Sequence, residues 1–116
     1  MRGRNYEREF CDFVITKGYH AERIAGSGLR RESVCDAVLI KDGKAYLVEI
    51  KSTRDKVYYL SDKQGVRERI KELIKVSKKC GAIPLLAVRF KGKNKWVVKR
   101  LNYRLKKVDS RDKSLI

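Results

Sequence analysis

The sequence predicts an α/β domain built on a central mixed five-stranded β-sheet flanked by helices, in the order α-β-β-β-α-β-β. Three observations carry this prediction. Apolar residues recur at helical spacing in two separate stretches, short apolar runs bounded by turn residues lie between and after them, and Asp42-Gly43 joins two of those runs as a hairpin turn.

Tyr6, Phe10, Phe13 and Val14 form one apolar stripe on a first helix that ends near Gly18. Glu7 lies along the edge of that stripe with Phe10, Cys11 and Val14, whereas Arg8, Glu9 and Asp12 face away. A short strand is expected around Tyr19 to Ile24, followed by a basic glycine-containing loop, Gly26 to Arg31. Val34 to Ile40 and Lys44 to Lys51 read as the two strands of the hairpin, and Thr53 to Leu60 as a polar and aromatic connection. Ser61-Asp62-Lys63-Gln64 has the form of a capping box. It opens a second helix that carries Val66, Ile70, Leu73, Ile74 and Ser77 and closes at Cys80 and Gly81. Ile83 to Phe90 and Trp96 to Leu101 complete the strands, with Pro84 expected at a strand start or on an edge because it cannot donate to a ladder.

At 116 residues the chain has material for one small core. No internal repeat or linker divides it, so residues 1–101 are expected to form a single domain and 102–116 a loosely held basic tail. The net charge of +16 calls for a polyanionic partner, although charge alone fits many nucleic-acid-binding proteins. No apolar run approaches the roughly 18 residues of a membrane span and the first residues lack a signal-peptide core, which leads to the expectation of a cytoplasmic protein. Three widely spaced cysteines and a single histidine argue against zinc binding and a disulfide framework, and the lone histidine excludes an HExxH protease, so hydrolytic chemistry has to rest on carboxylates.

A two-residue turn at Asp42-Gly43 sets Lys41 against Lys44 and Ile40 against Ala45, and the same register carried inward sets Asp36 against Glu49. Alternation then puts Glu49 and Lys51 on one face of their strand and Tyr46, Val48 and Ile50 on the other. Opposed carboxylates destabilise a sheet unless something neutralises them. Periodicity alone allows a solvated ion-pair cluster. The apolar surroundings of both acids instead favour a divalent cation, and oxygen ligands suit Mg²⁺ or Mn²⁺. Lys51 is placed to hold a phosphate oxygen or orient the attacking water.

The run Asp36, twelve residues, Glu49-Ile50-Lys51 resembles the core motif of the PD-(D/E)xK restriction-endonuclease-like nucleases. Together with Gly3 to Glu9, Arg23 to Ser27, Tyr46 to Lys51 and Gly81 to Val88, it resembles the archaeal Holliday junction resolvase family, Hjc, over residues 3–101. The resemblance implies a restriction-endonuclease-like fold and a metal-dependent endonuclease that resolves four-way DNA junctions. Glu7, Asp36, Glu49 and Ile50 would form the metal set, with Mg²⁺ as cofactor and Mn²⁺ able to substitute, and Lys51 would be the catalytic base or phosphate contact. Arg8, Arg23 and Ser27 fall where the family places residues near the scissile phosphate, Ser27 among the catalytic ones. Cys35 stands where the wider superfamily often has proline before the aspartate.

Arg30 and Arg31 of the glycine loop are expected to contact DNA, as are Arg4, Arg54, Lys56 and Lys63. Tyr58 and Tyr59 fit base stacking and packing equally well. His20 reads as a surface or half-buried strand residue, and Cys11 and Cys80 as small core residues. Neither a nucleotide cofactor nor a membrane is expected. Three functions remain open from the residues: a junction resolvase, a related nuclease on other branched or nicked DNA, and a non-catalytic DNA-coating protein. Because one chain supplies one site and junction resolution needs two incisions in opposed strands, a C₂ homodimer is the expected working unit.

Overall fold

Asn5 opens the first helix by accepting the Arg8 N–H on its side-chain oxygen at 3.0 Å, which satisfies one of the orphan donors of the first turn. The computed structural model describes residues 5–24, 33–60 and 64–116. Helix α1 (Tyr6–Thr16) buries Phe10, Cys11 and Val14, as the apolar stripe requires, and keeps Glu7 and Glu9 in its first turn, where the helix dipole favours an acid. It closes with the N–H of Tyr19 on the carbonyl of Val14 at 3.1 Å, while Gly18 takes φ +91°.

The main sheet has the order β1-β2-β3-β5-β6, formed by β1 (His20–Arg23), β2 (Ala37–Lys41), β3 (Lys44–Thr53), β5 (Ile83–Phe90) and β6 (Lys95–Arg100). The β3/β5 pair is parallel and is joined through α2 (Gln64–Cys80), while the other pairs are antiparallel. The hairpin register is the one that Asp42-Gly43 dictates, with Lys41 opposite Lys44 and Ile40 opposite Ala45, and both turn residues adopt positive φ (51° and 77°). Pro84 is the second residue of β5, a central strand, so its missing donor falls at the strand start, and its carbonyl accepts the Leu101 N–H at 2.9 Å.

Each face of the sheet carries its own core. On the α1 side, Phe10 and Val14 pack with Ala37, Leu39, Val48, Ile50, Leu85, Ala87, Trp96 and Val98. Phe10 meets Trp96 edge-on at 5.1 Å between ring centroids. On the α2 side, Ile70, Leu73 and Ile74 cover Leu86, Val88, Phe90 and Val97.

The structure departs from the sequence expectation in several places. Val34, Cys35 and Asp36 precede β2 instead of belonging to it, and β3 runs two residues further, to Thr53. The expected polar connection contains a three-residue strand, β4 (Val57–Tyr59), and the expected loose tail contains its antiparallel partner, β7 (Lys107–Asp109). Residues 102–116 are therefore packed: Val108 is fully buried, Ser114 Oγ accepts the Val98 N–H at 2.8 Å, and Ile116 lies against the α1-side core. Cys80, expected in the core, is exposed at the end of α2, while Cys11 is buried. Tyr58 packs on the α2-side core and Tyr59 points to solvent. His20 is exposed and bonds Glu22 at 2.6 Å. The glycine loop and the capping box lie outside the described residues, except for Gln64 at the helix start.

Candidate active site

Strand β3 carries the site because alternation along it separates adjacent residues by a full sheet thickness. Val48 and Ile50 enter the α1-side core, while Glu49, between them, turns toward α2 and is 2% exposed. Asp36, 5% exposed, lies one residue past the regular β2/β3 ladder, which ends at Ala37 opposite Val48. Its backbone still bonds both neighbours, donating N–H to Val48 at 2.8 Å and accepting the Ile24 N–H at 2.9 Å. Its carboxylate Oδ2 accepts the Ile50 N–H at 2.8 Å, so the side chain takes the place that a strand carbonyl would have filled.

The two acids meet through a residue the sequence reading did not single out. Arg69, in α2, donates Nε–H to Glu49 Oε1 at 2.9 Å, Nη2–H to Asp36 Oδ1 at 3.2 Å and Nη1–H to the Ser33 carbonyl at 3.2 Å. The two carboxylates are thus joined by a guanidinium and not by ladder pairing. A signal for this residue was present: Arg69 is three residues after Val66 and four before Leu73, on the edge of the apolar stripe, as Glu7 is on α1. Lys51 Nζ reaches the other oxygen of Glu49 at 3.2 Å.

Glu7 approaches from the first turn of α1 and faces Arg23 Nη1 at 3.8 Å. A cleft lined by Tyr6, Glu7, Arg23, Ile50, Lys51 and Ser52 joins it to the end of β3. Burial, then the Asp36 charge, raises the Glu49 carboxyl above its ordinary value against the opposing pull of Lys51 and Arg69. Burial and Asp36 raise Glu7 in the same way, with Arg23 opposing. For Arg69, burial acts to lower the value, but the Glu49 carboxylate, its hydrogen bond and Asp36 together raise it. This mutual influence shows that Glu7, Asp36, Glu49 and Arg69 share one electrostatic field.

The structure therefore brings Glu7, Arg23, Asp36, Glu49, Ile50 and Lys51 to one end of the sheet. Arg8 is exposed on α1, and Arg54 and Lys56 are exposed on the turn after β3. Arg4, Ser27, Arg30, Arg31 and Lys63 lie outside the described residues. Among the described residues no three His, Cys, Asp or Glu side chains already converge as a metal cage. The donors near the cleft are nonetheless carboxylate oxygens, the chemistry that Mg²⁺ and Mn²⁺ take, with a half-exposed acid and a buried pair within one field.

Comparison with known proteins gives the geometry a family. No curated protein matches the chain. Among solved structures, Hjc from Archaeoglobus fulgidus, a Holliday junction resolvase of an archaeal hyperthermophile, superposes with a TM-score of 0.71 at 23% identity, covering 90% of this chain and 84% of that one. The fold is accordingly restriction-endonuclease-like. The family model described as archaeal Holliday junction resolvase (Hjc) matches residues 1–113, reaching well into the segment expected as a tail. With its mixed sheet, its acidic cluster at the end of β3 and this match across nearly the whole sequence, the chain belongs to the archaeal Holliday junction resolvase family and is a structure-specific, junction-resolving nuclease.

Proposed function

We propose that this nuclease cuts through a Mg²⁺ site held by Asp36, Glu49, Glu7 and the backbone carbonyl of Ile50, with Mn²⁺ as a working substitute. The observation that carries the reading is the burial of Asp36 and Glu49 beside Lys51, which itself lines the cleft: two acids kept out of water next to such a cleft have no use in a passive DNA coat. The cation, when bound, supplies positive charge for the scissile phosphate and a water nucleophile at neutral pH.

The chain's own residues do the rest. Asp36 is fixed by the Ile50 N–H, so its free direction of motion is small and the ligand geometry is set by the sheet. Lys51 holds a phosphate oxygen or orients the attacking water from its position 3.2 Å from Glu49. Arg23, paired with Glu7, and the exposed Arg8, Arg54 and Lys56 contact the phosphates on either side, together with Arg4, Ser27, Arg30, Arg31 and Lys63. Two such sites related by a C₂ axis make the paired incisions, because one chain of 13.5 kDa holds one site and the junction has two opposed strands to cut. A cytoplasmic setting fits the three free cysteines.

The test is incision of a synthetic four-way junction beside a linear duplex, with Mg²⁺ and with EDTA. Metal-dependent cutting of the junction in preference to the duplex supports the reading. Equal cutting of both, or full activity in EDTA, overturns it. Sedimentation at micromolar concentration should give about twice the chain mass, and a monomer that still makes paired cuts removes the symmetric dimer.

A further inference from the structure

Around the buried acids every carboxylate oxygen already has a partner. Asp36 Oδ2 accepts the Ile50 N–H at 2.8 Å and Oδ1 accepts Arg69 Nη2–H at 3.2 Å. Glu49 Oε1 accepts Arg69 Nε–H at 2.9 Å, and Oε2 faces Lys51 Nζ at 3.2 Å. A divalent cation held by both Asp36 and Glu49 would compete for carboxylate oxygens that the Arg69 guanidinium already engages. Two positive centres cannot share those oxygens at hydrogen-bond distance, since their repulsion in a partly dry site exceeds what either gains from half of the pair.

We propose that Arg69 is a positioning residue that acts as an internal counter-cation: it holds Asp36 and Glu49 together until the metal binds, and it lets go of at least one of them when the metal does. This deepens the metal-site reading above and rests on it. Exposure decides which partner moves. The Arg69 side chain is 25% exposed, whereas the side chains of Asp36 and Glu49 are 8% and 3% exposed, so Arg69 is the member of the trio with a path to water. Asp36 is further tied to the backbone of Ile50. Arg69 is held by single hydrogen bonds through three different nitrogens, each of which can be given up separately. Its removal has two opposite effects: the two acids lose their neutralising partner, and the metal loses its competitor.

The experiment measures Mn²⁺ affinity of the full-length chain, without DNA, by calorimetry or by loss of the free-ion electron paramagnetic resonance signal. Arg69→Met keeps the aliphatic stem and removes the charge. It should bind Mn²⁺ at least about tenfold more tightly than wild type, equivalent to about 1.4 kcal/mol, while the metal-free variant melts at a lower temperature. Arg69→Lys should fall between the two. A residue that is merely structural lowers the melting temperature without tightening Mn²⁺ binding, and unchanged or weaker affinity in Arg69→Met overturns the proposal. A second measurement needs no variant: in ¹⁵N-arginine-labelled wild type, the Arg69 Nε–H resonance should shift and lose its protection from exchange on saturation with Mg²⁺. A resonance that stays in place while Mg²⁺ binds overturns the proposal as well. Mn²⁺ affinity of Asp36→Asn separates the two levels of the argument. If it equals that of wild type, the metal-site reading fails and this inference fails with it. If it drops while the Arg69 resonance is unmoved, only the role of Arg69 is lost.

Discussion

Val48 and Glu49 are neighbours in sequence and equally hidden, yet they lie in two different kinds of interior. Val48 enters a face where α1 supplies Phe10 and Val14, and where contact is between apolar atoms. Glu49 enters the face covered by α2, where the apolar packing of Leu73, Leu86 and Val88 gives way, at the end nearest β2, to Asp36, Arg69 and Lys51. The α1 face also holds a buried charge, Arg89, but that one rests on the Trp96 ring, 5.7 Å from its centroid, and bonds Asn94. The difference shows how this fold divides its work. One face of the sheet is spent on stability, and the other gives up part of its packing to hold two carboxylates where water cannot neutralise them.

Breaking the charged face should destroy chemistry first. Asp36→Asn and Glu49→Gln should each reduce junction incision by about 10³-fold or more, while gel-shift affinity for the junction changes little, because affinity comes from phosphate contacts. Substantial cutting by either variant would place the reacting centre elsewhere. Breaking the apolar face should do the reverse. Phe10→Ala opens a cavity beneath Trp96 and should cost about 3–5 kcal/mol in urea unfolding, a large part of the stability of a small domain. Molecules that remain folded should still cut.

The packed C-terminal segment tests whether the α2 face depends on its second, smaller sheet. Val108→Ala should cost about 2 kcal/mol, and deletion of residues 102–116 should cost much more, because it removes the only pairing partner of β4 among the described residues together with the bonds to Val98. A truncated chain with an unshifted urea midpoint would return this segment to the status of a tail.

The smallest effect lies in pH. Burial first, and Asp36 second, raise the Glu49 carboxyl above 4.5. A folded value above the unfolded one means that the folded state holds the proton more readily. The group therefore contributes stability that is complete below about 4.5 and is lost as pH rises through the folded value. Wild type should lose stability relative to Glu49→Gln over that interval, as read by urea unfolding at a series of pH values. A difference that stays constant with pH would mean that Arg69 and Lys51 fully offset the burial.

Most of the fold was legible because its signals are local. The Asp42-Gly43 turn fixes a register, the stripe on α1 selects its buried face, and the Glu49-Ile50-Lys51 alternation assigns sides to the two cores. What escaped is what depends on distant partners. Strands β4 and β7 have three residues each, too few to show a period, and each is a strand only because the other exists. Arg69 carried only a partial signal: its place on the edge of the apolar stripe is local, but no neighbour in the sequence says that its turn of α2 will stand over the end of β2. Glu7 was legible as an acid out of place on its stripe, and Arg69 is its basic counterpart on α2.

The seating of the final residues also orders the events of folding. The β2/β3 hairpin closes through two residues, a contact available as soon as its strands exist. The β4/β7 pairing spans about half the chain, and Ile116 completes a core whose first members, Phe10 and Val14, lie more than a hundred residues earlier. Such contacts form against a loop-closure cost that the hairpin never meets. During synthesis the hairpin and α1 can therefore form while the α1-side core still lacks Ile116, whereas Asp36 and Glu49 gain their common partner only when α2 brings Arg69 over them.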